Sequence, residues 1–133
     1  MTPNEAVDII FGIFKAVWDP RPAIYSDVGG KIPTSEGVWA RATIRHAVGS
    51  QSSLGGIGSR KFTDKGTVIV QVFAPVGDGS TACYEAARLV QNAYRDARNP
   101  SVWFRDVRMN EIGASGAFEQ INVLATFSYD DVR

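Results

Sequence analysis

The stretch RKFTDKGTVIVQVFAP, residues 60–75, decides the fold that the sequence predicts. Successive side chains of an extended chain lie on opposite faces, so Val68, Val70 and Val72 share one apolar face. The other face is half apolar and carries Thr67, Ile69, Gln71 and Phe73. A strand with this pattern is typical of the interior of a sheet, so we expect a neighbouring strand along each of its edges.

The composition predicts a single domain over residues 1–133. The chain is 44% hydrophobic, which is enough for one core, and its 133 residues are too few for two domains of ordinary size. Fourteen basic residues balance fourteen acidic ones, so bulk charge gives no support to nucleic-acid binding. No apolar run has the length of a membrane span, and the first residues do not resemble a signal peptide. We therefore expect folding in the cytoplasm and no membrane partner.

Two segments predict helices. Thr2, Pro3 and Glu5 form a helix start, and the helical spacing of apolar residues then continues from about residue 3 to residue 18. This first helix is apolar around much of its circumference, so either it is deeply buried or its second face meets another subunit. A second helix begins at Ser80 or Thr81 and ends before residues 99–100, Asn-Pro.

Three further segments predict strands. Residues 38–47 alternate between apolar and polar, residues 101–112 are rich in β-formers with a bulge near Arg105, and residues 118–129 alternate again. Residues 23–37 have little periodicity and are interpreted as a long surface connection. The predicted fold class is α+β: one mostly antiparallel sheet of about four strands, with two helices on one face and a long hairpin arm.

The predicted arm is the glycine-rich segment GSQSSLGGIGS at residues 49–59, which is followed by Arg60 and Lys61. A phosphate-binding loop is not expected, because its lysine must follow the last glycine and open a helix, whereas a strand follows here. A flexible linker remains possible. We favour a protruding hairpin arm that becomes ordered on contact with a partner.

Candidate contact residues lie in the arm, on the polar face of the sheet and near the end of the chain. They are Leu54, Ile57, Arg60, Lys61, Arg41, Arg45, Gln120, Asn122, Asp130 and Asp131. Apolar side chains in the arm would anchor it on a neighbouring subunit. The basic residues at the base of the arm would pair with acids across that interface, for which the two aspartates are candidates.

Catalytic and metal-ligating patterns do not emerge from the sequence. Cys83 and His46 are the single residues of their types, and together they cannot form a usual zinc site. Cys83 falls on the apolar face of the second helix and is expected to be an inert core thiol. His46 is expected to be solvated or hydrogen-bonded, and the adjacent Asp130 and Asp131 point apart and are expected to be solvated. We therefore expect no enzymatic activity, no cofactor and no metal.

A series of motifs runs along nearly the whole chain, from about Pro3 to Asp130. They are WARATIRH at 39–46, LGGIGSR at 54–60, VQVFAP at 70–75, GDG at 77–79, VWFR at 102–105, EIG at 111–113 and NVLATFSYD at 122–130. In their order and spacing they resemble the tail terminator proteins of long-tailed bacteriophages. The motifs are structural rather than chemical.

The resemblance implies a non-enzymatic ring, usually a hexamer, at the head-proximal end of the virion tail. Such a ring caps the completed tail tube, stops its polymerisation and provides the surface to which the head docks. It implies three partners: other copies of the chain, the major tail tube protein and a head-to-tail connector protein. Assembly takes place in the host cytoplasm, and DNA that passes through such a ring is not recognised by sequence. Neighbouring roles as a connector or tube component stay open, as does a small-molecule-binding or enzymatic domain.

Overall fold

The computed structural model describes residues 2–19, 21–25, 37–51, 61–75, 80–115 and 118–132. Two helices and five strands lie in these segments. They are α1 (Pro3–Trp18), β1 (Ala23–Tyr25), β2 (Trp39–Gln51), β3 (Lys61–Pro75), α2 (Ser80–Arg95), β4 (Val102–Ser115) and β5 (Phe118–Val132). The predicted α+β class is confirmed.

The five strands form one sheet in the order β1-β2-β3-β5-β4. β3 is the central strand and is antiparallel to both β2 and β5, as the sequence predicts. β4 pairs with β5 to complete the predicted hairpin. Every pairing is antiparallel except that of β1 with β2.

The interpretation of residues 23–37 as connection alone is wrong, because Ala23–Tyr25 forms β1, parallel to β2. The sheet therefore has five strands rather than about four. The sequence did not predict β1 because three residues are too few to show the alternation of a strand. Its pairing of Ala23 with Ala40 also joins residues far apart in the sequence, which no local pattern reveals.

The register of the strands separates an apolar face from a polar one. Ala42, Val70 and Val123 lie in one row across β2, β3 and β5, and all three are buried. The residues one position along, Arg41, Gln71 and Asn122, form a row on the opposite face, which we call the open face. The predicted division of each strand into a core side and a polar side is confirmed.

Helix α1 has the predicted bounds and a predicted cap, since the backbone amide of Glu5 donates to Thr2 Oγ1 at 3.3 Å. Its large apolar side chains are all buried or half-buried. Phe11 and Phe14 meet the ring of Tyr25 edge-on, at centroid distances of 5.1 and 5.9 Å. Burial by its own chain therefore accounts for the apolar circumference of α1, which favours the buried-helix alternative.

Tyr94 joins α2 to α1. Its side chain is 1% exposed, and its hydroxyl donates a hydrogen bond of 2.9 Å to the backbone carbonyl of Ile10. Burial raises the pKa of this hydroxyl far above its usual value. Cys83, nearer the start of α2, is fully buried as predicted, and burial raises the pKa of its thiol.

Gly66 lets β2, β3 and β5 approach one another closely. A Cβ atom at this position would overlap the carbonyl oxygen of Arg45 and would lie 2.6 Å from Cζ of Phe127. The register of β2 shifts directly opposite, between His46 and Val48. Any other residue at position 66 would therefore push the strands apart.

A bulge interrupts β4, as predicted near Arg105. The register to β5 shifts between Arg105 and Arg108, and Asp106 has a φ of 53°. This left-handed conformation is one that aspartate tolerates better than most residues.

We predict that Val70→Asp prevents folding. The substitution places an unpaired carboxylate in the core row of the central strand, at a cost of several kcal/mol in a domain with about 5 to 15 kcal/mol to lose. Gln120→Asp, on the open face, is the matched control and is expected to fold. Soluble yield and melting temperature measure both effects, and equal values for the two variants would contradict the assignment of the faces.

We also predict that Tyr94→Phe lowers stability at pH 7 by about 1 kcal/mol, because it removes a buried hydrogen bond. The folded-state pKa of Tyr94 lies above its unfolded value of 10.0, so its contribution is complete below pH 10 and is lost as the pH rises further. The variant should therefore lose less stability than the parent between pH 10 and 12. Denaturant unfolding at several pH values measures this difference, and parallel alkaline curves would contradict it.

Candidate functional site

The open face of the sheet carries most of the polar side chains that the sequence singled out. One row across β2, β3, β5 and β4 contains Arg41, Gln71, Asn122 and Asn110. A second row across the same four strands contains Arg45, Thr67, Thr126 and Arg105. The predicted contact residues Arg41, Arg45 and Asn122 are thus brought onto one surface.

Cations dominate this surface. We use the name basic face for Arg41, Arg45, Lys65, Arg105 and Arg108, which all have open-face positions in the register. Three of the five lie on β3 and β4, and sequence analysis did not select them. Their common face depends on the pairing of β5 with both β3 and β4, which no local pattern encodes.

Among the described residues whose strand pairing places them on the open face, the acidic one is Asp130. It lies opposite Thr63, whose hydroxyl donates a hydrogen bond of 2.8 Å to its Oδ1. Asp131, the next residue, faces the other side and pairs with Phe62. The two acids point apart as expected. However, they belong to β5 and are half-buried, so the expectation that they are simply solvated is wrong.

The four contact residues predicted in the arm are mostly outside the described part of the chain. Leu54, Ile57 and Arg60 lie outside the described residues. Lys61 is the first residue of β3, and its backbone pairs with Val132. The arm contacts therefore remain predictions.

An aromatic cluster occupies one end of the open face. Trp39 stacks on Phe73 with a centroid distance of 4.3 Å, and Phe118 meets Trp39 edge-on at 5.8 Å. Trp39 is 3% exposed, and its indole N–H has no hydrogen-bond partner in the structure. The neighbouring Gln120 donates to Asn122 Oδ1 at 2.8 Å, so two predicted contact residues bind each other.

A second surface lies on the other side of the sheet, where α2 meets β4 and β5. We call it the acidic corner and define it by Tyr84, Glu85, Glu111 and Glu119. Tyr84 lines two adjoining grooves, one with Glu85 and the other, of about 200 Å³, with Glu111 and Glu119. A hydrogen bond to Glu111 raises the pKa of the Tyr84 hydroxyl.

The acidic corner also exposes apolar surface. The ring of Tyr84 is 39% exposed. Arg88 lines the groove beside Glu85, so the described residues that line the two grooves include three carboxylates and one cation. Sequence analysis missed this surface because Glu85 and Glu111 belong to different elements and each resembles an ordinary solvated residue.

His46 and Tyr129 are hydrogen-bonded, with 2.7 Å between His46 Nε2 and the tyrosine hydroxyl. Tyr129 is fully buried, and Phe127 meets the imidazole edge-on at 5.5 Å. The contact satisfies a buried hydroxyl, which confirms the hydrogen-bonded alternative for His46. Across the described segments, no three His, Cys, Asp or Glu side chains are grouped so that they could hold a metal ion.

Within the described part of the chain, neither helix is long and apolar enough to span a membrane.

No family model matches the chain, and no curated protein matches it. Among solved structures, it is similar to a protein described only by a sequence identifier, with a TM-score of 0.63 and 17% sequence identity. The similarity covers 92% of this chain and 94% of the other. At this identity the likeness shows a shared fold over almost the whole length.

Proposed function

We propose that this protein is a tail terminator of a long-tailed bacteriophage. In this role copies of the chain close into a ring on the completed tail tube, stop further addition of tube subunits and present a surface to the head. The proposal rests on the order and spacing of the sequence motifs described above. The geometry of the two charged surfaces supports it.

Among the structural observations, the one that supports a ring most is that the basic face and the acidic corner lie on opposite sides of one sheet. A closed ring with more than two members needs contacts in which two different surfaces of each subunit meet. A two-fold dimer needs one surface that complements itself. The basic face cannot do this, because like charges would be brought together.

The first three residues of the predicted arm, 49–51, belong to β2, so the arm is shorter than predicted and begins at the far end of the β2–β3 hairpin. β4 makes its last pairing where Val102 meets Tyr129, which in turn lies opposite Asp64. Beyond this row β2, β3 and β5 continue alone, as far as the pairs Gln51 with Phe62 and Lys61 with Val132. A three-stranded extension of the sheet thus holds the segment that we expect to contact a neighbouring subunit or the tube.

The oligomeric state tests the proposal. The purified chain, alone and mixed with tail tubes, is examined by sedimentation and by negative-stain microscopy. We expect rings with a mass close to that of a hexamer, either free or at one end of the tubes. A tube component would instead lengthen the tubes. A compact monomer that does not bind the tubes would contradict the proposal.

We further predict that the arm serves assembly and not folding. Replacing residues 52–61 by Asn-Gly joins Gln51 to Phe62, which already lie opposite each other, through a tight turn that keeps the hairpin register. The shortened variant should have near-normal stability, because the glycine-rich segment supplies too few apolar contacts to offset an ordering cost of about 1 to 2 kcal/mol per residue. Capping of tail tubes should fail.

Two outcomes would contradict this prediction. If the shortened variant caps tubes as the parent does, the arm is dispensable for assembly. If it cannot fold, the arm belongs to the core.

A further inference from the structure

We propose that the basic face of one copy binds the acidic corner of the next copy. This inference rests on the proposed function, since it names the contact that closes the ring. It assigns the partner of the open face as a second copy of this chain.

The basic face lacks acidic partners within the described part of its own chain. Arg41, Arg45, Lys65 and Arg105 form no ion pair with any described residue, and Arg108 Nη1 donates to a neutral group, the carbonyl of Asp106, at 3.3 Å. Arg105, Arg108 and Lys65 are exposed. Arg105 and Arg108 pair with Thr126 and Leu124, so they occupy adjacent open-face positions, roughly 7 Å apart along the sheet. These like charges repel one another, and acidic groups from a partner would relieve that repulsion.

A second copy carries the charge that the face needs. The whole chain has as many acidic as basic residues. Among the described residues, five cations are gathered on the basic face, where the register places one acid, Asp130, so the remaining described surface has an excess of carboxylates. Charge complementarity between two copies therefore follows from the segregation of charge within one copy.

The acidic corner has the composition of an interface rather than of an ordinary solvated surface. It places the partly exposed ring of Tyr84 among three carboxylates. Tyrosine and arginine are enriched where proteins bind one another, and an apolar anchor surrounded by charges is the usual arrangement. The aliphatic stems of arginines on the basic face can cover such an anchor while their guanidinium groups reach the carboxylates.

The two surfaces cannot meet within one molecule. Arg105, Arg108 and Glu111 belong to the same strand, β4, but the arginines lie on the open face and Glu111 lies opposite Ile121, on the helix side. Each copy thus presents one surface to each neighbour, and repetition of the contact gives a head-to-tail series, which is a ring where the rotation between neighbours closes.

Nucleic acid fits the face less well. The neutral chain lacks the long-range field that draws a protein to a polyanion. Between the arginines, the open face carries Thr67, Ile69, Leu124 and Thr126. The exposed aromatic ring in the described part of this face is Trp103, at the β4 edge, and a single ring is not the series on which successive bases stack.

Two charge-reversed variants test the contact. Variant A carries Arg105→Glu and Arg108→Glu, and variant B carries Glu85→Arg and Glu111→Arg; all four side chains are exposed, so both variants should fold. In A the reversed face opposes an acidic corner, and in B the reversed corner opposes a basic face. Each alone should therefore self-associate at least about 100-fold more weakly than the parent. In an equimolar mixture every contact regains opposite charges, so association should return to the parental level.

Sedimentation of the parent, A, B and the mixture, each at low and high salt, measures these states. The parent's association should weaken as salt rises. The inference is overturned if A or B alone assembles like the parent, if the mixture stays monomeric, or if the parent itself is monomeric at every concentration reached. Binding of duplex DNA by the parent but not by A, without self-association, would assign the face to nucleic acid instead.

These outcomes separate the inference from the proposed function. Rings that cap tubes but form equally well from A alone would contradict this contact and leave the terminator role intact. Restored association in the mixture, with no effect on tail tubes, would support the contact and contradict the role.

Discussion

The structure depends on the exclusion of water from one face of β3. Val68, Val70 and Val72 are each at most 1% exposed, and the residues beside them on β2 and β5 are buried except Ile44, which is half-buried. Each buried valine contributes about 1.5 to 3 kcal/mol. A slip of one residue in either pairing would exchange the core face for the open face, so the valine face fixes the register of the sheet. The position of every arginine on the open face follows from that register.

Much of the fold could be predicted because its signals are local. The Thr2 cap and the helical spacing fix α1, and the alternation around Val70 fixes β3 and its two faces. The bulge near Arg105 shows as a break in the alternation of β4. Prediction failed for β1. Its three residues are too few to show a periodic pattern, and they are held in place by pairing with β2 at Ala40.

The candidate surfaces were predicted less completely, for the same reason. Arg41 and Arg45 stand out because they alternate with the apolar residues Ala40, Ala42 and Ile44 on one strand. Arg105 and Arg108 join them only through the β4–β5 and β3–β5 pairings, and Glu85 meets Tyr84 and Glu111 only because α2 packs beside β4. Sequence patterns indicate which side of a helix or strand faces solvent. They do not indicate which solvent-exposed sides become neighbours in the fold.

The two irregularities of β4 have a consequence for how copies can add to one another. β4 is an edge strand of fourteen residues, and a straight edge of that length invites backbone pairing with another chain. Register shifts between Arg105 and Arg108 and between Glu111 and Gly113 divide it into short pieces, and Asp106 turns the backbone between two of them. Strand-to-strand growth, which has no natural end and leads to fibres, is thereby disfavoured. In the proposed assembly, copies would instead meet through side chains, and the angle between neighbours would decide whether the series closes into a ring.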